Sequence, residues 1–204
     1  MNSKTNSSFE SEGENDTFYE DDTNQNQNCI KSKETIQENQ INKIVTSVAY
    51  ILTKICQVNN SLPVQKVFKK KYSVLFSERI PKISLYDYIS RIQKYSLYEK
   101  NTMILSLVYI DRICELNNFN LTFNNIHRIF FISILIAIKY NEDAIYSNKF
   151  YSEIAGFPLK ELNLMEHYFV KLIDFNLFVS ENEYKKYEEY LNSFDDNSTS
   201  NNDM

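Results

Sequence analysis

Glycine is almost absent from this chain, which holds only two glycines among its 204 residues. β-Hairpin turns and phosphate-binding loops depend on glycine, because it adopts positive φ and lets backbones approach closely at little steric cost. The shortage therefore disfavours β-sandwiches, P-loop enzymes and Rossmann domains. An all-helical protein fits the sequence better.

Cysteine and histidine are also scarce, with three cysteines and two histidines in the whole chain. The cysteines are odd in number and far apart, so we predict no disulfide framework, which is typical of a reducing intracellular compartment. Together with the histidines they show no spacing typical of a zinc site. The longest apolar run, Ile129–Ile138 with Ser133 inside it, is far shorter than the ~20 residues that span a bilayer. We therefore expect a soluble protein of the cytoplasm or nucleus, with no metal, cofactor or membrane partner.

Negative charge is concentrated at the two ends of the chain. Residues 1–35 hold eight acidic residues against three lysines, and residues 192–204 add three more acids without a base. Because the whole chain carries a net charge of −5, residues 36–191 carry +3. The ends are rich in polar residues and poor in aliphatic ones, so we predict acidic disordered tails at 1–35 and 192–204.

Apolar residues recur three and four positions apart along residues 36–191, which predicts amphipathic helices. A flanking helix within 36–60 ends before Pro63, and a less regular connector occupies 61–80. Ser84 is expected to cap the next helix, Ser96 the one after it, and Asn148 and Ser180 two later ones. Gly156 is expected to end a short helix, and Pro158 to open the following one.

The segment from Ile126 to Ile138 is apolar on every side, so we expect it to be a helix enclosed by protein. With residues 81–191 as the folded box and its C-terminal helix, the prediction is an all-α fold. Five helices pack around a buried third one, with one flanking helix at each end.

Four fragments, in this order and spacing, resemble the cyclin box. They are Pro81–Ile89 with Arg91, Ile92, Lys94 and Tyr95; Tyr109–Arg112; the helix ending in Ala137–Glu142; and Asn148–Tyr151 leading to Gly156, Leu162–His167 and Phe175–Leu177. The first and last resemble the P/U-type (phosphate-signalling) cyclins in particular. The resemblance covers about residues 66–191.

The resemblance implies a regulatory subunit that binds and activates a cyclin-dependent protein kinase and helps to direct it to substrates. It implies no catalytic residue, no small-molecule substrate and no nucleic-acid partner. In the family, a lysine ending the third box helix and a glutamate in the fifth lie side by side and hold the kinase's regulatory helix; Lys139 and Glu166 match them. The neighbouring family contacts match Tyr140, Val170, Phe175 and Leu177.

Other readings of these residues stay open. Lys139 could be a helix C-terminal cation with its stem on the core, and Glu166 an exposed helix residue. Glu142 and Asp143 could reach arginines of the kinase activation segment or form a solvated turn. Asp111 and Arg112 lie on an apolar helix, where charges need partners, so we predict a structural role in the box. His127 and His167 are expected to be ordinary histidines, either on a helix surface or with their hydrogen bonds satisfied.

Two other functions remain alternatives. A cyclin-fold adaptor would bind a protein that is not a kinase. A nucleic-acid-binding relative would need a strongly basic face and paired repeats, whereas residues 36–191 carry only +3 and one box.

Overall fold

The computed structural model describes residues 21–62 and 66–199, with side chains for residues 39–62, 66 and 68–194. The chain divides into two units, Met1–Asn39 and Gln40–Met204. The first is described only as the N-terminal part of one helix. All packing reported below lies within the second.

The described residues form eight α-helices, one 3₁₀ turn at Ser73–Leu75 and no strand, which confirms the all-α prediction. The helices are α1 (Asp21–Asn59), α2 (Lys66–Lys71), α3 (Leu85–Ser96), α4 (Lys100–Asn117), α5 (Ile126–Asn141), α6 (Asn148–Ala155), α7 (Leu159–Leu172) and α8 (Glu181–Thr199). Helices α3 to α7 are the five helices of the predicted box. Helices α1 and α8 flank it in sequence.

Helix α5 is the centre of the box. All its residues from Ile126 to Ile138 except Arg128 are buried, and it packs against α3, α4 and α7. A helix that is apolar on every side has no face to present to water, so its neighbours must enclose it. The predicted central helix is therefore confirmed.

Several predicted helix ends are also confirmed. Ser84 caps α3, with its Oγ accepting a hydrogen bond from the backbone N–H of Asp87 at 3.0 Å. Ser180 accepts one from the backbone N–H of Glu183 at 3.3 Å. Gly156 ends α6 with a φ of 74°, in the left-handed region that favours glycine.

The two other predicted caps are wrong. Ser96 is the last residue of α3, and Leu97 follows it with a φ of 49°, so the chain turns before α4 and Glu99 takes the N-cap position. Ser147, not Asn148, caps α6, accepting from the backbone N–H of Phe150 at 3.4 Å. The Asn148 side chain instead binds residues of α7.

The flanking helices extend further than the sequence predicts. Helix α1 begins at Asp21 rather than near Thr35, and α8 ends at Thr199 rather than near Leu191, so described parts of both predicted tails are helical. Once a packed helix exists, each further residue adds one hydrogen bond without a new nucleus, and Gln, Glu and Lys favour helix. Residues 1–20 and 200–204, also predicted to be disordered, lie outside the described part.

Candidate functional site

The C-terminal end of α5 meets the middle of α7 through an ion pair. Lys139 Nζ donates to Glu166 Oε1 at 2.5 Å, and the two side chains are 27% and 24% exposed. The other oxygen, Glu166 Oε2, accepts from Asn148 Nδ2 at 2.8 Å. The two residues that the cyclin resemblance implied to be neighbours are therefore brought together, with the start of α6 beside them.

This pair has unused hydrogen-bonding capacity. An ammonium group has three donors, and Glu166 accepts one of them. Both side chains stay partly exposed, and the charges neutralise each other, so the cost of desolvating them against a partner is lowered. The pair is thus suited to hydrogen bonding with backbone groups of another chain.

Glu142 connects the end of α5 to the start of α4. Its Oε1 accepts from the backbone N–H of Glu99 at 3.1 Å and from the hydroxyl of Thr102, and Asn141 Nδ2 donates to that hydroxyl at 2.9 Å. The first N–H groups of a helix lack intrahelical partners, and a carboxylate there is favoured by the helix dipole. Glu142 therefore acts as the cap of α4 that neither Ser96 nor the side chain of Glu99 provides.

The link between α7 and α8 makes a sharp turn. Asp174 and Phe175 have φ values of 53° and 56°, both in the left-handed region. The Phe175 side chain is 66% exposed and that of Phe178 is 71% exposed, whereas Leu177 is half-buried against the core. Two successive non-glycine residues in this region store backbone strain, and such strain is concentrated at functional sites.

Helix α4 holds this link in place through two side chains. The Tyr109 hydroxyl donates to the Leu177 carbonyl at 2.8 Å. Arg112 donates to the carbonyls of Asn176 at 2.6 Å and Phe178 at 2.9 Å, and it binds both carboxylate oxygens of Glu183 at 3.0 and 2.9 Å. Arg112 thus fixes the link and the start of α8 together.

The neighbouring charge on α4, Asp111, has a different partner. It accepts a hydrogen bond from the Tyr187 hydroxyl at 2.7 Å, and burial raises the pKa of its carboxyl above the ordinary value. Asp111 and Arg112 therefore contact α8 separately instead of forming a pair with each other. Their predicted structural role remains a prediction, supported by these contacts.

Exposed apolar side chains accompany the ion pair. Tyr140, next to Lys139, is 50% exposed, and Val170, one turn after Glu166, is half-buried. Ile145, Tyr146 and Phe178 are also exposed, and the sequence did not single them out. The sequence did contain a signal for them. They are apolar residues in the links between helices, where a core residue is not expected.

The described residues contain no group of three His, Cys, Asp or Glu side chains placed to hold a metal ion. His127 is buried, its Nε2 lies 3.2 Å from the Ile83 carbonyl, and burial lowers its pKa. Burial raises the pKa of the Cys56 and Cys114 thiols to about 12, so both are protonated near neutral pH. Among the helices described, none is long and apolar enough to span a membrane.

Comparison with known proteins shows the family of this fold. The cyclin family model matches residues 13–177. The chain is 30% identical over 164 residues to PHO85 cyclin-like protein psl1 of Schizosaccharomyces pombe, covering 74% of this chain and 68% of that protein.

Two further relatives agree. Cyclin-U1-1 of Arabidopsis thaliana is 31% identical over 150 residues, covering 72% of this chain and 70% of its own. PHO85 cyclin-7 of Saccharomyces cerevisiae is 34% identical over 131 residues, covering 58% of this chain and 46% of its own, so less than half of that relative is matched. With the family model matching most of the chain, and relatives of both the PHO85 and U types, this chain belongs to the cyclin family and resembles its P/U-type members.

Proposed function

We propose that this chain is a regulatory subunit that binds and activates a cyclin-dependent serine/threonine protein kinase. The observation that carries the proposal is the partly exposed Lys139–Glu166 pair where α5 and α7 meet, accompanied by exposed apolar side chains. The names of the relatives place them among PHO85 and U-type cyclins, which supports the same role here. The chain would act without catalytic residues or a cofactor of its own, in the cytoplasm or nucleus.

The proposed kinase-binding surface combines polar specificity with apolar contact area. Lys139 and Glu166 would hydrogen-bond to the backbone of the kinase's mobile regulatory helix. Tyr140, Val170, Phe175 and Leu177 would supply the aromatic and aliphatic contacts that dominate interface energies.

Glu142 has a different proposed role from the direct contact expected from the sequence. Because its Oε1 is engaged by Glu99 and Thr102, we propose Glu142 as a positioning residue that holds the end of α5. Asp143 is exposed and remains the residue proposed to meet arginines of the activation segment.

The test is a charge exchange within the pair. The double variant Lys139→Glu with Glu166→Lys keeps an ion pair inside the chain but reverses the donors and acceptors offered to a partner. We expect this variant to keep the stability of the parent and to bind a cyclin-dependent kinase at least about tenfold more weakly, with matching loss of kinase activation. Binding and activity would be measured with a panel of purified cyclin-dependent kinases.

The matched control is Lys160→Glu with Glu153→Lys, which exchanges two exposed charges on α7 and α6 outside the proposed surface. It should bind as the parent does. If the Lys139 and Glu166 exchange binds equally well, the proposed surface is wrong. If the parent binds none of the kinases, and affinity purification from cells yields a partner that is not a kinase, the alternative function as a cyclin-fold adaptor is supported instead of kinase regulation.

A further inference from the structure

The connector between α1 and α3 carries a dense group of positive charges. We call the six cationic residues between positions 66 and 82 the connector cations; the same stretch holds one acid, Glu78. Five are exposed and Lys69 is half-buried. They are Lys66, Lys69, Lys70, Lys71, Arg79 and Lys82. A local charge of +5 thus stands out in a chain whose net charge is −5.

Within the part of the chain that the structure describes, none of the connector cations is in an ion pair. The ion pairs there use Lys100, Arg112, Arg128, Lys139 and Lys185. Two connector cations lie over aromatic rings: Lys69 Nζ is 5.9 Å from the Phe76 centroid, and Lys71 Nζ is 5.0 Å from that of Tyr72. Their charges are therefore left unneutralised at the surface.

The connector is fixed to the N-terminal end of α5. Arg128 donates to the Val74 carbonyl at 2.8 Å, and Ser77 N–H donates to the Asn124 carbonyl at 2.6 Å. Leu75 is fully buried, and the rings of Phe68 and Phe119 lie 4.9 Å apart. The backbone that carries the positive charges is thus held in place, so the entropic cost of ordering it on ligand binding is small.

The connector cations lie at the opposite end of α5 from Lys139. The connector contacts the start of α5, and a helix rise of 1.5 Å per residue places that end roughly 20 Å from Lys139. The connector also contacts α7, where the ring centroids of Tyr72 and Tyr168 lie 5.5 Å apart. Ile80 is exposed between Arg79 and Lys82 and offers one apolar contact within the charged surface.

We infer that the connector cations bind an acidic segment of another protein, rich in Asp and Glu with an aliphatic residue among them. Unpaired cations attract carboxylates, and Ile80 supplies the apolar contact for the aliphatic residue. A nucleic acid is less favoured, because residues 36–191 carry only +3 in total, so beyond the +5 of this surface their remaining charge is −2 and a long polyanion would find no further positive charge to contact. The inference does not depend on kinase binding.

The test uses the full chain and a fluorescent synthetic peptide of Glu, Asp and Leu residues, read by anisotropy. The parent should bind this peptide, and its affinity should fall as the salt concentration rises. It should not bind a control peptide in which Gln replaces each Glu and Asn replaces each Asp. Reversing Lys70, Lys71 and Arg79 to Glu should weaken binding at least about tenfold. The matched control reverses three exposed lysines elsewhere, Lys43, Lys94 and Lys160, and should lose much less affinity.

Circular dichroism would show that both triple variants keep the parent's helical signal. Equal losses in the two variants would mean that only total charge matters, and the inference would be wrong. It would also be wrong if a single-stranded oligonucleotide bound more tightly than the peptide. Ile80→Ser should weaken peptide binding without changing its salt dependence, which separates apolar contact from charge.

Discussion

Arg112 has the most extensive set of polar contacts of the α4 side chains that face the α7–α8 link. Its planar group reaches two link carbonyls and both carboxylate oxygens of Glu183. Nη1 donates to the Asn176 carbonyl, whereas Nη2 donates to the Phe178 carbonyl and to the Glu183 carboxylate, so the contacts are divided between two nitrogens held in one plane. A single ammonium cannot place donors at two such positions. The charge of Arg112 is therefore less important than its shape.

Arg112→Lys tests that statement. The variant keeps the charge and loses one of the two donor nitrogens, so we expect it to lower the free energy of unfolding by about 1–3 kcal/mol, measured by urea denaturation. Tyr109→Phe, which removes one hydrogen bond to the same link, should cost about 1 kcal/mol. An Arg112→Lys variant as stable as the parent would show that the second donor nitrogen contributes nothing.

Single residues differ in how far the sequence reveals their role. The Ser84 cap was predictable because its donor, Asp87 N–H, is three residues away and the capping pattern is local. The partners of Arg112 lie 64 to 71 residues away, and Glu142 meets Thr102 across 40 residues. Such contacts follow from tertiary packing, and no short-range pattern records them.

The ends of the helices show a contrast between two left-handed residues. Gly156 and Leu97 both end helices with positive φ, but only glycine adopts this region without strain. Leu97 is 76% exposed, so little packing is seen to compensate for its strain.

Leu97→Gly should therefore relieve backbone strain, although glycine also has more conformational freedom in the unfolded chain. The net effect should be to raise the free energy of unfolding by about 0.5–1 kcal/mol. Gly156→Ala should destabilise it by a similar amount, about 0.5–1 kcal/mol. Space is not the obstacle at Gly156, because a Cβ there would lie 3.9 Å from the nearest atom, Arg91 Nη2. Thermal and urea unfolding would measure both changes.

The control for these variants is Leu116→Gly. Leu116 is also an exposed leucine but lies within α4, where glycine should cost about 1 kcal/mol. If Leu97→Gly destabilises the protein as Leu116→Gly does, strain at Leu97 is not what sets its stability.

Whole helices were easier to predict than their ends. The apolar periodicity of α3, α4 and α7 and the all-apolar α5 identified the box, because burial of a face or of a whole helix leaves a record in the sequence. The Ser96 prediction failed because it used local capping preference alone. The left-handed Leu97 is set by how α3 turns into α4, which a pattern of residue types does not show.

At the scale of the molecule, the buried part of α1 belongs to the core. Val45, Val48 and Leu52 are almost fully buried, as are Ile44, Ala49 and Cys56. These residues lie in the Gln40–Met204 unit. The stability of that unit should therefore depend on this stretch of α1.

Two deletions test this dependence. Removing residues 1–38 should change the free energy of unfolding by no more than about 0.5 kcal/mol, because it leaves the buried α1 side chains from Ile44 onwards in place. Removing residues 1–59 takes away buried side chains worth about 1.5–3 kcal/mol each, enough to abolish a cooperative unfolding transition. A sharp urea transition in the chain that lacks residues 1–59 would contradict the assignment of α1 to the core.

The sequence predicted the molecule's class and core better than its extent. The box was predictable because buried helix faces leave a periodic pattern in the sequence. The family was predictable because its motifs occur in the expected order along the chain. The described parts of the predicted tails are helical because helix extension needs no apolar face, so composition did not reveal it.

Helix α4 supports both halves of the proposed kinase-binding surface. Glu142 ties the end of α5 to its first turn, while Tyr109 and Arg112 hold the α7–α8 link further along. A partner would therefore meet a surface whose geometry is set before contact. This chain should therefore contribute to association as a rigid body, so that the heat-capacity change of binding carries no contribution from folding of this chain.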